Sequence, residues 1–143
     1  MKTLSIIGIA AISLILFQNP TLEGKWKMVR DESFENILTS PNFQMQDEHQ
    51  QKALAETFNK ILSGFYYDFG KDTVYFTDFK NYEIVELKGI YWMDADTLII
   101  GQTKKISLQK YLISKLNKDE LHLKLIHPKD GTVFNSRMMF KRE

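Results

Sequence analysis

Histidine is the side chain best suited to proton transfer or metal binding near neutral pH, and this 143-residue chain has three: His49, His122 and His127. His122 and His127 lie five apart in one β-type run, so a regular strand turns them to opposite faces. No histidine pair has chelate spacing. Serines occur without a G-x-S-x-G turn and without a base beside one. Asp94 and Asp96 suggest paired-carboxylate chemistry, but Asp94-Ala95-Asp96 between two apolar runs is better explained as a tight turn. There is no glycine-rich phosphate loop. The chain has no Cys, which removes thiol catalysis, thiolate metal sites and disulfides together. These residues predict no enzyme, no cofactor and no metal site.

Rings are the better candidates. The chain carries ten Phe and six Tyr, which suits both β-structure and an apolar binding site. Phe65, Tyr67, Phe69, Tyr75, Trp92 and Tyr111 fall in β-type runs and form the candidate ligand-binding set. A small-molecule site is mostly apolar with a few placed polar groups, and inward tyrosines would supply them. The alternative, that these rings simply fill a small interior, stands beside it with equal weight.

Those rings need strands to carry them. Leu22 to Arg30 alternates, with Trp26 and Met28 on one face and Lys25 and Lys27 on the other. A helical stretch follows: a short helix over Asp31 to Leu38, then Ser40-Pro41 as a helix start. An amphipathic helix is predicted over Phe43 to Ser63, with Leu54, Phe58, Ile61 and Leu62 on one side and Gly64 as its stop. From Phe65 onward the period is two. Runs at Phe65–Phe69, Thr73–Phe79, Tyr82–Met93, Thr97–Gly101, Gln109–Leu116, Glu120–His127 and Thr132–Lys141 are separated by short turns. Lys88-Gly89 reads as a bulge or bend inside the third of these.

With the first strand this makes eight, joined in a simple up-and-down order. An open sheet of eight would leave two bare edges, so a closed antiparallel barrel with a helical insertion between the first and second strands is favoured. An α+β domain with the helix across an open sheet uses the same elements. Pairing between residues near Lys27 and near Phe140 separates the two.

Formal net charge is +1. Without residues 1–20, which hold Lys2 and no acid, 19 − 1 basic residues balance 18 acidic ones. That balance gives no field to attract nucleic acid. Residues 1–20 read as a signal peptide, or else an uncleaved anchor: Lys2 precedes an apolar or small run, Leu4 to Phe17. Fourteen residues at about 1.5 Å each fall short of a ~30 Å hydrocarbon core. Residues 21–143 are the folded domain, expected to be exported to the periplasm or secreted, with no membrane span after cleavage.

Gly24-Lys25-Trp26 at the first strand resembles the G-x-W signature of the lipocalin superfamily. Gly89 to Leu98, Tyr111-Leu112-Ile113 and Asp119 to Leu123 look like bacterial lipocalin-like domains, so the resemblance covers roughly residues 22–142. It implies non-covalent binding of a small hydrophobic ligand, and a structural signature of Gly24, Trp26 and an arginine at the end of the last strand, over the indole. In a meander the last strand ends where the first begins, which selects Arg142 over Arg137, five residues and about 16 Å away. Arg137, if inward, would be the natural partner for a carboxylate, but its parity with Val133 and Met139 favours outward. The competing reading is an envelope structural or protein-interaction module with a filled barrel and no ligand.

Overall fold

Alternation of apolar and polar residues resolves into eight strands in the computed structural model, which describes residues 21–104 and 107–143. The expected signal segment, residues 1–20, lies outside the described residues. The strands are β1 (Gly24–Asp31), β2 (Tyr66–Phe69), β3 (Thr73–Lys80), β4 (Glu83–Asp94), β5 (Thr97–Gln102), β6 (Leu108–Leu116), β7 (Glu120–Ile126) and β8 (Val133–Arg142). Each pairs antiparallel with the next, and β1 pairs with β8, so the sheet is a closed barrel. Lys27 faces Lys141 and Met28 faces Phe140 across that seam. The open α+β sheet is therefore excluded.

The insertion between β1 and β2 is three helices: α1 (Glu32–Leu38), α2 (Pro41–Gln44) and α3 (Glu48–Gly64). The single helix predicted over 43–63 is in fact broken at residues 45–47. The reason is local. Asp47 accepts from the Gln50 amide at 2.8 Å, and the Gln50 side chain accepts from the Asp47 amide at 3.4 Å. This capping box satisfies the free amides of a new helix start better than continuing the old one would. Asp31 caps α1 through Ser33, and Ser40 caps α2 ahead of Pro41.

Register shifts occur in β1 between Met28 and Arg30, in β6 between Ile113 and Lys115, and in β7 between Lys124 and Ile126. None falls at Gly89, where Val74↔Gly89 and Gly89↔Gln102 continue in regular register. The bulge expected there is absent. Gly89 serves close approach instead: a Cβ at this position would collide with the Gly101 carbonyl oxygen and press on the Phe76 ring.

The core fills the barrel. Trp26, Phe69, Val74, Phe76, Leu98, Ile100, Leu121, Leu123 and Phe140 are all buried there. Ile61 and Leu62 of α3, with Phe65 just beyond it, pack onto this core, while Phe58 of α3 stacks on Phe34 of α1 with ring centroids 4.1 Å apart. Lys60 donates to the Tyr82 carbonyl in the β3–β4 hairpin at 2.6 Å. The insertion thus covers one side of the barrel end that lies opposite Gly24.

Candidate functional site

One end of the barrel is sealed. Arg142 lies over the Trp26 ring with its guanidinium carbon 4.1 Å from the centroid, and the indole N–H donates to the Leu22 carbonyl at 2.8 Å. Arg142 also donates to the carbonyls of Lys118, Glu23 and Thr21 at 2.8, 2.5 and 2.7 Å. Gly24 has a φ of +117°, and a Cβ on it would sit 2.7 Å from an Arg142 nitrogen. Both facts require glycine there. Arg142, not Arg137, is the arginine on the indole.

The candidate rings divide between two faces. Tyr67, Phe69 and Tyr111 are buried inside, and Phe65 packs against the same core just beyond the end of α3. Tyr67 is in contact with Phe69, Phe76, Tyr111 and Phe140. Tyr75 and Trp92 are 42% and 41% exposed on the outer face, so these two do not reach the interior. The inward positions of their strands belong to Val74 and Phe76 in β3 and to Gly89 and Tyr91 in β4. Phe76, absent from the candidate set, is the ring that β3 sends inward.

Toward the unsealed end the interior becomes polar. The Tyr67 hydroxyl donates to that of Tyr111 at 3.3 Å, which donates to Gln109 Oε1 at 3.0 Å. Burial pushes the Tyr67 hydroxyl well above its usual range and raises that of Tyr111, and the Asp78 carboxylate adds to both shifts. These phenols are therefore hydrogen-bonding groups and not bases near neutral pH.

Above this relay lies a cleft of about 360 Å³ lined by Asp31, Ser33, Tyr111, Leu125, Phe134, Ser136 and Met138. Its position follows from strand geometry. β7 advances two residues from Lys124 to Ile126 while β8 covers four, from Arg137 to Val133. The extra length swings Phe134 and Ser136 to the rim. Leu125 is 39% and Phe134 45% exposed, so the mouth presents apolar surface to solvent. A second groove of about 640 Å³, lined by residues including Gln109, Lys110, Leu125, His127 and Pro128, shares Leu125 as a wall. There the β6–β7 pairing has ended, since its last partners toward the mouth are Tyr111 and Leu125.

Arg137 faces outward. Its guanidinium grips Glu32 of α1 at 2.8 and 3.0 Å, and its backbone amide donates to the same carboxylate at 2.8 Å. Glu32 so completes the seam where β1 gives way to α1, and Arg137 is not presented to the mouth. Of the cleft residues, Asp31 is readable in sequence only as a helix start and Phe134 only as a strand aromatic. The strand irregularity that gathers them has no local sequence mark. His127 accepts from the Lys129 amide at 3.2 Å within the β7–β8 turn, and among the described residues no group of three potential metal ligands comes together.

A closed eight-stranded antiparallel barrel, sealed at one end by a G-x-W tryptophan under an arginine, is a lipocalin-like fold. Among the solved structures similar to this chain are two from Bacteroides. One is a lipocalin-like protein from Bacteroides uniformis, with TM-score 0.51 and 13% identity over 85% of this chain and 98% of that one. The other is an uncharacterized protein from Bacteroides eggerthii, with TM-score 0.50 and 11% identity over 86% of this chain and all of that one. At such identities the likeness is one of fold. No protein-family model matches the chain, and no curated protein does.

Proposed function

We propose that this protein binds a small, largely apolar molecule non-covalently at the open end of its barrel. The observation that carries the reading is the cleft of about 360 Å³ walled by Tyr111, Leu125, Phe134 and Met138. Its size and its mix of apolar walls with a few polar groups are those of a small-molecule site. The ligand sits at the rim and not deep inside, because Trp26, Leu98, Ile100, Leu121 and Phe140 already occupy the base. Dodecanol, a neutral apolar probe, titrated below its solubility limit, is expected to shift the NMR signals of Leu125, Phe134 and Met138 saturably. Phe134→Ser should weaken it about tenfold, in keeping with loss of a partly buried ring. Absence of saturable shifts at those residues would overturn the reading.

A second reading, a protein-interaction module with a filled barrel, draws support from the outer face. Ile90, Trp92 and Leu108 surround Gly101 there and remain largely exposed. It gains if dodecanol fails and the protein self-associates or binds a defined partner through Trp92. In either reading the protein acts after export. Among the described residues no helix is long and apolar enough to cross a membrane. The proposal of export rests on Leu4 to Phe17, and intact mass of protein from its own host tests it: retention of Met1 to Pro20 in a cytoplasmic fraction would sink it.

A further inference from the structure

Asp31 is the one charged residue among those lining the cleft, and most of the polar atoms around it are acceptors. Ser33 spends its hydroxyl proton on Asp31 Oδ1 at 2.5 Å, and the Ser33 amide donates to the same oxygen at 2.8 Å. Asp31 Oδ2 accepts no hydrogen bond from the described residues, although Asp31 is buried and lines the cleft. The Tyr111 hydroxyl proton is directed to Gln109 and its oxygen already accepts from Tyr67, so toward the cleft it can act only as a further acceptor. Ser136 accepts from Asn36 at 3.4 Å. No Lys or Arg lines this cleft. Arg137 is held by Glu32, and Arg30 is held by Glu35.

We infer that the mouth selects amphiphiles whose polar end is a positively charged hydrogen-bond donor, of the alkylammonium class, over fatty-acid anions. The inference rests on the mouth being the ligand site. An ammonium group placed at Asp31 Oδ2 gains a charge-assisted hydrogen bond while its chain lies along Leu125, Phe134 and Met138. A carboxylate in the same place meets a carboxylate and acceptor oxygens, with no cation to offset them. Lys110 and His127 belong to the adjoining groove, so an anion bound there would ignore Asp31.

Calorimetric titration of the folded protein with dodecylammonium and dodecanoate below their micelle concentrations, and with dodecanol below its solubility limit, tests this. Dodecylammonium is expected to bind about tenfold or more tightly than dodecanoate, a difference of about 1.4 kcal/mol or more. Asp31→Asn keeps an oxygen to cap α1, and it should erase that difference. Ser136→Lys, which puts a cation at the rim and leaves the cap intact, should move the preference toward dodecanoate. Dodecanoate binding as tightly as the amine, or a preference that survives both substitutions, would overturn the inference while the site itself stands. If none of the three probes binds, the site fails and the inference with it.

Discussion

Gly89 and Gly101 sit next to each other across β4 and β5 but answer to different neighbours. At Gly89 the added methyl of alanine would strike the Gly101 carbonyl oxygen, which is backbone and has no room to retreat. At Gly101 it would meet only side chains, Leu108 at 3.4 Å, Ile90 at 3.6 Å and Trp92 at 3.8 Å, all ordinary contacts. Gly89→Ala should therefore cost about 1–3 kcal/mol, the range for overpacking, whereas Gly101→Ala should fall within about 0.5 kcal/mol of the parent. Urea unfolding of both variants decides it, and equal effects would refute the assignment. Arg142→Met should lose a cation–π contact and three carbonyl partners, about 1–3 kcal/mol on the same scale. Alternation along a strand tells which residues share a face, which is why Phe65, Tyr67 and Phe69 were legible as a group. It does not say which face is inside when both carry rings. In β3, Phe76 and Tyr75 are neighbours of nearly equal hydrophobic weight. In β4, Trp92 competes with Tyr91 in the same way.

At the level of elements, the joint between α1 and β8 carries the clearest pH dependence. Three hydrogen bonds from Arg137, side-chain bonds foremost, lower the Glu32 carboxyl from its ordinary 4.5 to about 2. A carboxyl depressed in the folded state stabilises it fully above its unfolded value and loses that contribution as pH falls through the folded one. The contribution of this joint should thus be intact above about pH 4.5 and fade between there and about pH 2. Glu32→Gln removes the titration. The stability gap between parent and variant, measured by denaturant unfolding, should be larger near pH 7 than near pH 2, and a constant gap would contradict the assignment. The helices themselves were legible from caps and apolar spacing. The interruption at 45–47 was not, since a capping box competes with helix continuation by hydrogen bonds that hydrophobic periodicity does not register.

Across the whole molecule, stability is unevenly placed. The seam between β1 and β8 joins residues more than a hundred positions apart, such as Met28 and Phe140, and its closure depends on the packed base. Of the insertion, only Phe58 is a buried residue of α3, and α1 and α2 contribute none. Amides of Leu98, Leu121, Leu123 and Phe140 should exchange hydrogen only with global unfolding, and those of α2 and the first turns of α3 much sooner. Uniform protection by mass-spectrometric exchange would argue against this division. Barrel closure was legible because bare sheet edges are costly. The location of the cleft was not, because it depends on β7 and β8 running out of step, a property of two strands together.

Leu22, Thr21 and Glu23 each give a carbonyl oxygen to the Trp26–Arg142 seal. The lead-in to the domain is thereby fastened at the pole opposite the rim. Any tether made through the chain ahead of Thr21 grips the molecule by its foot. The opening then points away from whatever the tether is fixed to, free to meet a molecule arriving from the surroundings.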